Sequence, residues 1–148
     1  MHSIRNFKLV RPDLGTSGQP TKEQFECIAN QRFQHVVNLA MPDHPESIAD
    51  EAKIVSDLGM DYHSIPVPFN SPDKIHLTEF TRLLDDIYVA RKSPVYIHCL
   101  MNYRVSAFTY HYQVHRLGVD KTKARQSVFS DWEPDEVWTA VFEHPAVV

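Results

Sequence analysis

The sequence is short of several features that would decide its class at once. Two cysteines in 148 residues are too few for a disulfide scaffold, so Cys27 and Cys99 are expected as free thiols. No apolar run approaches the roughly 18–20 residues that cross a bilayer, and the start of the chain lacks the apolar core of a secretory signal. Basic residues are outnumbered, 15 Lys and Arg against 19 Asp and Glu. With no basic cluster either, a nucleic-acid partner is not expected. Repeats, low-complexity stretches and interior linkers are absent. What is present, 43% hydrophobic and 23% charged residues, is ordinary for a globular protein. These features predict a single cytoplasmic domain over 1–148, with no membrane partner.

The four glycines punctuate the pattern. Gly15 and Gly18 are expected in a turn, and Gly59 and Gly118 just after helices. Phe7–Val10 reads as a short strand. Thr21-Lys22-Glu23-Gln24 is a capping box opening a helix to about Gln31. His35–Leu39, rich in β-branched residues, predicts a buried strand. A second helix has Ile48, Ala52, Val55 and Leu58 on one face, and Tyr62–Pro66 is the next strand. Pro66, Pro68 and Pro72 predict an irregular loop. Phe80, Leu83, Leu84 and Ile87 have the i, i+3, i+4, i+7 spacing of a third helix. Val95–Cys99 is the last strand and Tyr103 to about Arg116 a helix. Two shorter helices follow, the second starting at Pro134. Strands alternating with helices imply an α/β domain of three layers, a mainly parallel sheet with helices on both faces. Ligands bind such sheets beyond the carboxyl ends of the strands.

The segment His98-Cys99-Leu100-Met101-Asn102-Tyr103-Arg104-Val105-Ser106 carries the chemistry. A cysteine ends a strand, a short loop follows, and an arginine opens a helix. The helix N-terminus offers unpaired amides and a positive dipole end, which suit an anion and favour thiolate over thiol. Arg104 adds two parallel donors matched to a phosphate oxyanion.

These residues resemble the cysteine-dependent protein tyrosine phosphatases. More narrowly, they resemble the small bacterial phosphatase-like domains found alone or fused to beta-lactamase-like hydrolases. The resemblance spans about Phe7 to Arg116 and includes Ser17-Gly18-Gln19-Pro20, Val36-Val37-Asn38-Leu39, Ile65-Pro66-Val67 and the His98-Cys99 loop. It implies a tyrosine-phosphatase-like fold and a phosphate monoester substrate, a phosphorylated small molecule or a phosphoprotein. It also implies a Cys99 nucleophile forming a cysteinyl-phosphate, with no metal or organic cofactor. Arg104 would be the clamp, and His98, Leu100, Met101, Asn102, Tyr103 and Ser106 would surround the substrate. The usual signature has one residue more between cysteine and arginine than the four here, a length shared with the narrower group. Asn102 stands in place of the loop glycine, and asparagine tolerates a left-handed backbone. The hydroxyl residue falls one position late, at Ser106.

The resemblance also calls for a carboxylic acid on the loop before the cysteine. Pro68 and Phe69 occupy its expected place, so Asp73 is the candidate, with Asp43 and His44 next. Asp73 also reads as a turn or cap residue. Two other functions stay open: a phospho-ligand-binding module without turnover, and a rhodanese-like sulfurtransferase carrying a persulfide on Cys99. His111 and His115 have i, i+4 spacing but no third metal ligand, and read as packing or surface residues. Cys27 reads as packing, and Trp132–Trp138 as the means of docking the last helix. Oligomeric state is not legible.

Overall fold

The computed structural model describes residue 1, residues 3–129 and residues 132–147. Five strands form one sheet: β1 (Lys8–Arg11), β2 (Leu14–Ser17), β3 (His35–Asn38), β4 (Asp61–Ser64) and β5 (Val95–His98). Their spatial order is β1-β2-β5-β3-β4. β1 and β2 are antiparallel, and every other pairing is parallel. The helices are α1 (Lys22–Asn30), α2 (Glu51–Asp57), α3 (Lys74–Leu84), α4 (Tyr103–His115), α5 (Lys121–Val128) and α6 (Glu136–Phe142). α3 continues as a π-helical turn over Asp85–Ala90. This is the expected α/β architecture.

Alternation along the strands divides the core in two. Val36 and Tyr96 join Phe25, Ile28 and Val55, so α1 and α2 cover one face. Val37 and Ile97 join Leu84, Phe108, Val128 and Trp138, so α3 to α6 cover the other. α4 is buried along its length from Arg104 to Gln113. A helix enclosed on all sides must find partners for its polar groups. Ser106, His111 and Gln113 each make a side-chain hydrogen bond.

Several boundaries differ from expectation. Gly15 is not in a turn but inside β2, paired with Tyr96. α2 begins at Glu51, after Ile48, and β4 ends at Ser64, before Pro66. Asp135, not Pro134, is placed to start α6: its carboxylate accepts the Trp138 amide at 3.0 Å. The Thr21 capping box is complete, and Gly59 and Gly118 have positive φ. Among the described residues no helix is long and apolar enough to cross a membrane.

Candidate active site

The carboxyl ends of β2, β3 and β5 meet around the cysteine loop. The Cys99 amide donates to Ser17 O at 3.3 Å, and the Leu39 amide to His98 O at 2.9 Å. The Ser17–Pro20 turn supports the loop from below: the Gln19 amide donates to Leu100 O at 2.9 Å. Gly18 is required there, because a Cβ would collide with that same carbonyl. The N-terminal segment braces the other side. Asn6 Nδ2 donates to Met101 O at 2.9 Å, and Asn102 Nδ2 returns a bond to Asn6 O at 2.8 Å.

Asn102 precedes α4 with φ of 70°, the left-handed backbone anticipated for it. The turn lets the chain rise from Cys99 and enter α4 at once, so the first-turn amides of α4 have no intrahelical acceptors. Beside them is a cavity of about 360 Å³ lined by Met41, His44, Phe69, Cys99, Leu100, Met101, Tyr103 and Arg104. Among the described residues none of those lining it is a carboxylate.

Arg104 is 5% exposed. Its Nη1 donates to Val67 O at 2.9 Å, and its guanidinium lies 5.6 Å from the Phe69 ring centroid. Its Nε is buried with no hydrogen-bond partner among the described residues. A buried charged donor left unpaired is costly, and an oxyanion in the adjoining cavity would relieve that cost. Val67 in turn is held by its amide on Leu39 O at 3.0 Å. The Ile65-Pro66-Val67 segment therefore serves the arginine.

The structure brings Cys99, Leu100, Met101, Tyr103 and Arg104 to one cavity. It does not bring Asp73 there. Asp73 is the N-cap of α3: its carboxylate accepts the Ile75 amide at 3.2 Å, and its own amide donates to His76 Nδ1 at 3.1 Å. Three positions expected to bind substrate have other partners. Ser106 Oγ bonds Asn102 O at 2.5 Å and Val128 O at 3.1 Å, tying the loop to α5. His98 is fully buried beneath the loop, with Nε2 2.8 Å from Glu51 Oε2 and Nδ1 3.1 Å from Cys99 O. Asn102 is also buried and structural.

His44 lines the cavity, and its Nδ1 accepts the Glu46 amide at 3.1 Å. That bond leaves the hydrogen on Nε2. Asp43 is exposed and not on the cavity wall. Cys27, expected to pack, is exposed. Trp138 does dock α6, fully buried with Nε1 donating to Phe69 O at 2.9 Å, while Trp132 stacks on Tyr103 at 5.0 Å. His111 Nε2 faces the carbonyls of His144 and Pro145. Among the described residues no group of three or more His, Cys, Asp or Glu could hold a metal ion.

Glu51 was not anticipated. A glutamate in the first turn of a helix reads as a surface residue complementing the dipole. The available signal was its spacing: Glu51 lies four before Val55 and three after Ile48, on the apolar face. It is 2% exposed. Burial works against its charge, but the attraction of His98 and hydrogen bonds from His98 and Gln19 hold the carboxyl below its ordinary range.

No protein-family model matches the chain, and no curated protein matches it in sequence. Solved structures do. The "Putative phosphatase (DUF442)" from Shewanella putrefaciens CN-32 superposes with a TM-score of 0.84 at 29% identity, covering 95% of this chain and 91% of that one. Tk-PTP in its active form gives 0.75 at 19% identity, with 92% of each chain covered. TpbA of P. aeruginosa, solved in complex with pTyr, gives 0.66 at 20% identity, covering 83% of this chain and 71% of that one. The chain thus has the fold of the cysteine-dependent protein tyrosine phosphatase-like superfamily. Within it, the structure is similar to the DUF442 protein over nearly the whole of both chains.

Proposed function

We propose that the protein is a cysteine-dependent phosphatase acting on a phosphate monoester. One observation carries the reading: Cys99 and Arg104 line the same cavity, and the buried Nε of Arg104 has no partner among the described residues. Cys99 Sγ attacks phosphorus, forming the S–P bond as the P–O bond to the leaving group breaks. Loop amides and the Arg104 fork hold the equatorial oxygens in a loose transition state. Water then attacks phosphorus, releasing phosphate and the thiolate.

The cavity wall supplies no carboxylic acid for the leaving oxygen. His44 presents Nε2–H as a hydrogen-bond donor, but losing that proton from a neutral ring would leave an imidazolate, so it is no general acid in this geometry. The site therefore favours esters whose leaving oxygen departs without protonation, such as aryl esters with a phenol pKa near or below about 10. Phe69, Met41, Met101 and Tyr103 give such a group an apolar wall.

The test is a series of aryl and alkyl phosphates. Turnover should fall steeply as the leaving-group pKa rises, and Asp73→Asn should leave that slope unchanged. A flat slope in the wild type that steepens in Asp73→Asn would restore Asp73 as the acid. Vanadate binding through Arg104 with no hydrolysis of any ester would identify a binding module. A persulfide on Cys99 after thiosulfate, passed on to cyanide, would identify a sulfurtransferase.

A further inference from the structure

Glu51 is a buried carboxylate that the reaction described above does not use. Each of its oxygens accepts a donor from the end of a different strand or turn. Oε1 takes Gln19 Nε2 at 2.7 Å, while Oε2 takes Asn38 Nδ2 at 3.1 Å and His98 Nε2 at 2.8 Å. Gln19 is the residue whose amide holds Leu100 O. Asn38 closes β3: its Oδ1 accepts the Ala40 amide at 2.9 Å, and its Nδ2 also reaches Tyr62 Oη at 3.0 Å. His98 closes β5 and touches Cys99 O through Nδ1.

The partners fix the hydrogens on His98. A backbone carbonyl can only accept, and an ionised carboxylate can only accept. With Glu51 ionised, both contacts are hydrogen bonds only when both ring nitrogens of His98 donate. Stability alone is a weak reason to keep such a pair, because well-packed apolar side chains serve a core as well or better. This one lies directly beneath the loop that must keep its shape.

We infer that Glu51 is a positioning residue for the cysteine loop. It keeps His98 doubly protonated so that Nδ1–H grips the Cys99 carbonyl, and through Gln19 it sets the turn that holds Leu100. The inference rests on reading Cys99–Arg104 as the anion-binding loop, but not on turnover. The titratable groups facing the pair are Tyr62 from β4 and Cys99 itself. The Tyr62 hydroxyl is pushed up by burial and by the Glu51 charge, so it remains neutral. The lowered titration of Glu51 agrees with a carboxylate that stays charged under the loop.

The experiment uses the full chain with Cys27→Ser, so that the exposed Cys27 thiol does not react. Nitrogen-15 spectra of the wild-type His98 ring at pH 7 should show two N–H groups; one N–H would overturn the inference even if no variant folds. Glu51→Gln should leave one N–H on the ring. It should also slow iodoacetamide alkylation of Cys99 at pH 6, relative to pH 8.5, by about tenfold, the equivalent of one pKa unit. His98→Gln should have the same effect on this ratio, and the double variant no more than either alone, because Glu51 reaches the Cys99 carbonyl through His98, whereas its bond to Gln19 bears on Leu100. Effects that add, or an unchanged alkylation ratio in a folded Glu51→Gln, would reduce the pair to packing. Neither measurement needs a substrate. A chain inert toward every phosphate ester, yet showing these shifts, would lose the phosphatase reading and keep this one.

Discussion

Arg104→Lys is the substitution that weighs most on the proposed chemistry. One donor of Arg104, Nη1, is committed to Val67 O at 2.9 Å, while Nε is buried with no partner among the described residues. The planar group can therefore hold the backbone and still turn a second edge toward an oxyanion. A lysine ammonium is a single point on a flexible stem and cannot occupy both places. If it satisfies Val67, the anion loses its paired donors; if it faces the anion, the carbonyl is left unpaired. Removing one such donor from a transition state costs about 10²–10³ in rate, or about 2.7–4 kcal/mol. The assay is kcat/KM on p-nitrophenyl phosphate, with thermal melting as the control for folding. Vanadate at a hundred times its Kd adds about 2.7 kcal/mol of stability, which for a domain of this size raises Tm by roughly 5–10 °C. The lysine variant should lose most of that shift. A folded Arg104→Lys within tenfold of wild type, with the vanadate shift intact, would refute the role given to the guanidinium.

Two further outcomes follow from the backbone and the histidines. Asn102 has φ of 70° and donates to Asn6 O and Thr16 Oγ1, so Asn102→Ala should cost about 1–2 kcal/mol for the left-handed backbone alone. Asn102→Gly should recover most of that; equal melting points for the two variants would show that the backbone is not the constraint. His35 Nδ1 lies 3.0 Å from His63 Nε2, and burial followed by the charge of His63 lowers the pKa of His35, while burial lowers that of His63. The unfolded chain therefore binds protons first as pH falls. The stability from the neutral pair is complete above the ordinary value of 6.5 and is lost as pH drops below it toward the folded values. Tm should fall between pH 7.5 and 5 and fall less in His63→Gln; parallel curves would dismiss the pair as the titrating element.

Much of this architecture was legible because local signals agreed with each other. The Thr21 capping box, the β-branched run at Val36-Val37 and the apolar period through Phe80, Leu84 and Ile87 each named an element that formed. The strand-to-helix junction from Cys99 to Arg104 could be read because its residue types are unusual together. β2 was hidden for a physical reason. Its glycine reads as a turn, but Gly15 lies where a Cβ would come within 2.9 Å of the Tyr96 ring, so the residue answers to a neighbouring strand. The Pro12-Asp13 pair between β1 and β2 was the overlooked hairpin signal. Glu51 was hidden because its partners, Gln19, Asn38 and His98, come together only when three strand ends converge. Asp73 lies away from the cavity, as the α3 N-cap that was its other reading, because its distance in sequence from Ile65 says nothing of its direction.

The segment after β4 shows why an acid is missing where one was expected. Val67 O holds Arg104 and the Phe69 ring lies beside its guanidinium. Phe69 is itself fixed, because its carbonyl accepts the buried indole N–H of Trp138. Position 69 is 37% exposed, but a carboxylate there would sit within reach of a guanidinium that is only 5% exposed, and the two would pair. That pairing would supply a partner for the idle Nε and close the cradle against an incoming oxyanion. An aromatic ring at this position attracts the cation through its face yet accepts no hydrogen bond in the guanidinium plane. The Nε edge therefore stays available while the arginine stays in place. Under the proposed chemistry, Phe69 accounts both for the missing acid at its position and for the availability of Arg104. In the proposed reaction, such a chain would keep an open anion site and rely on the leaving group to depart unaided.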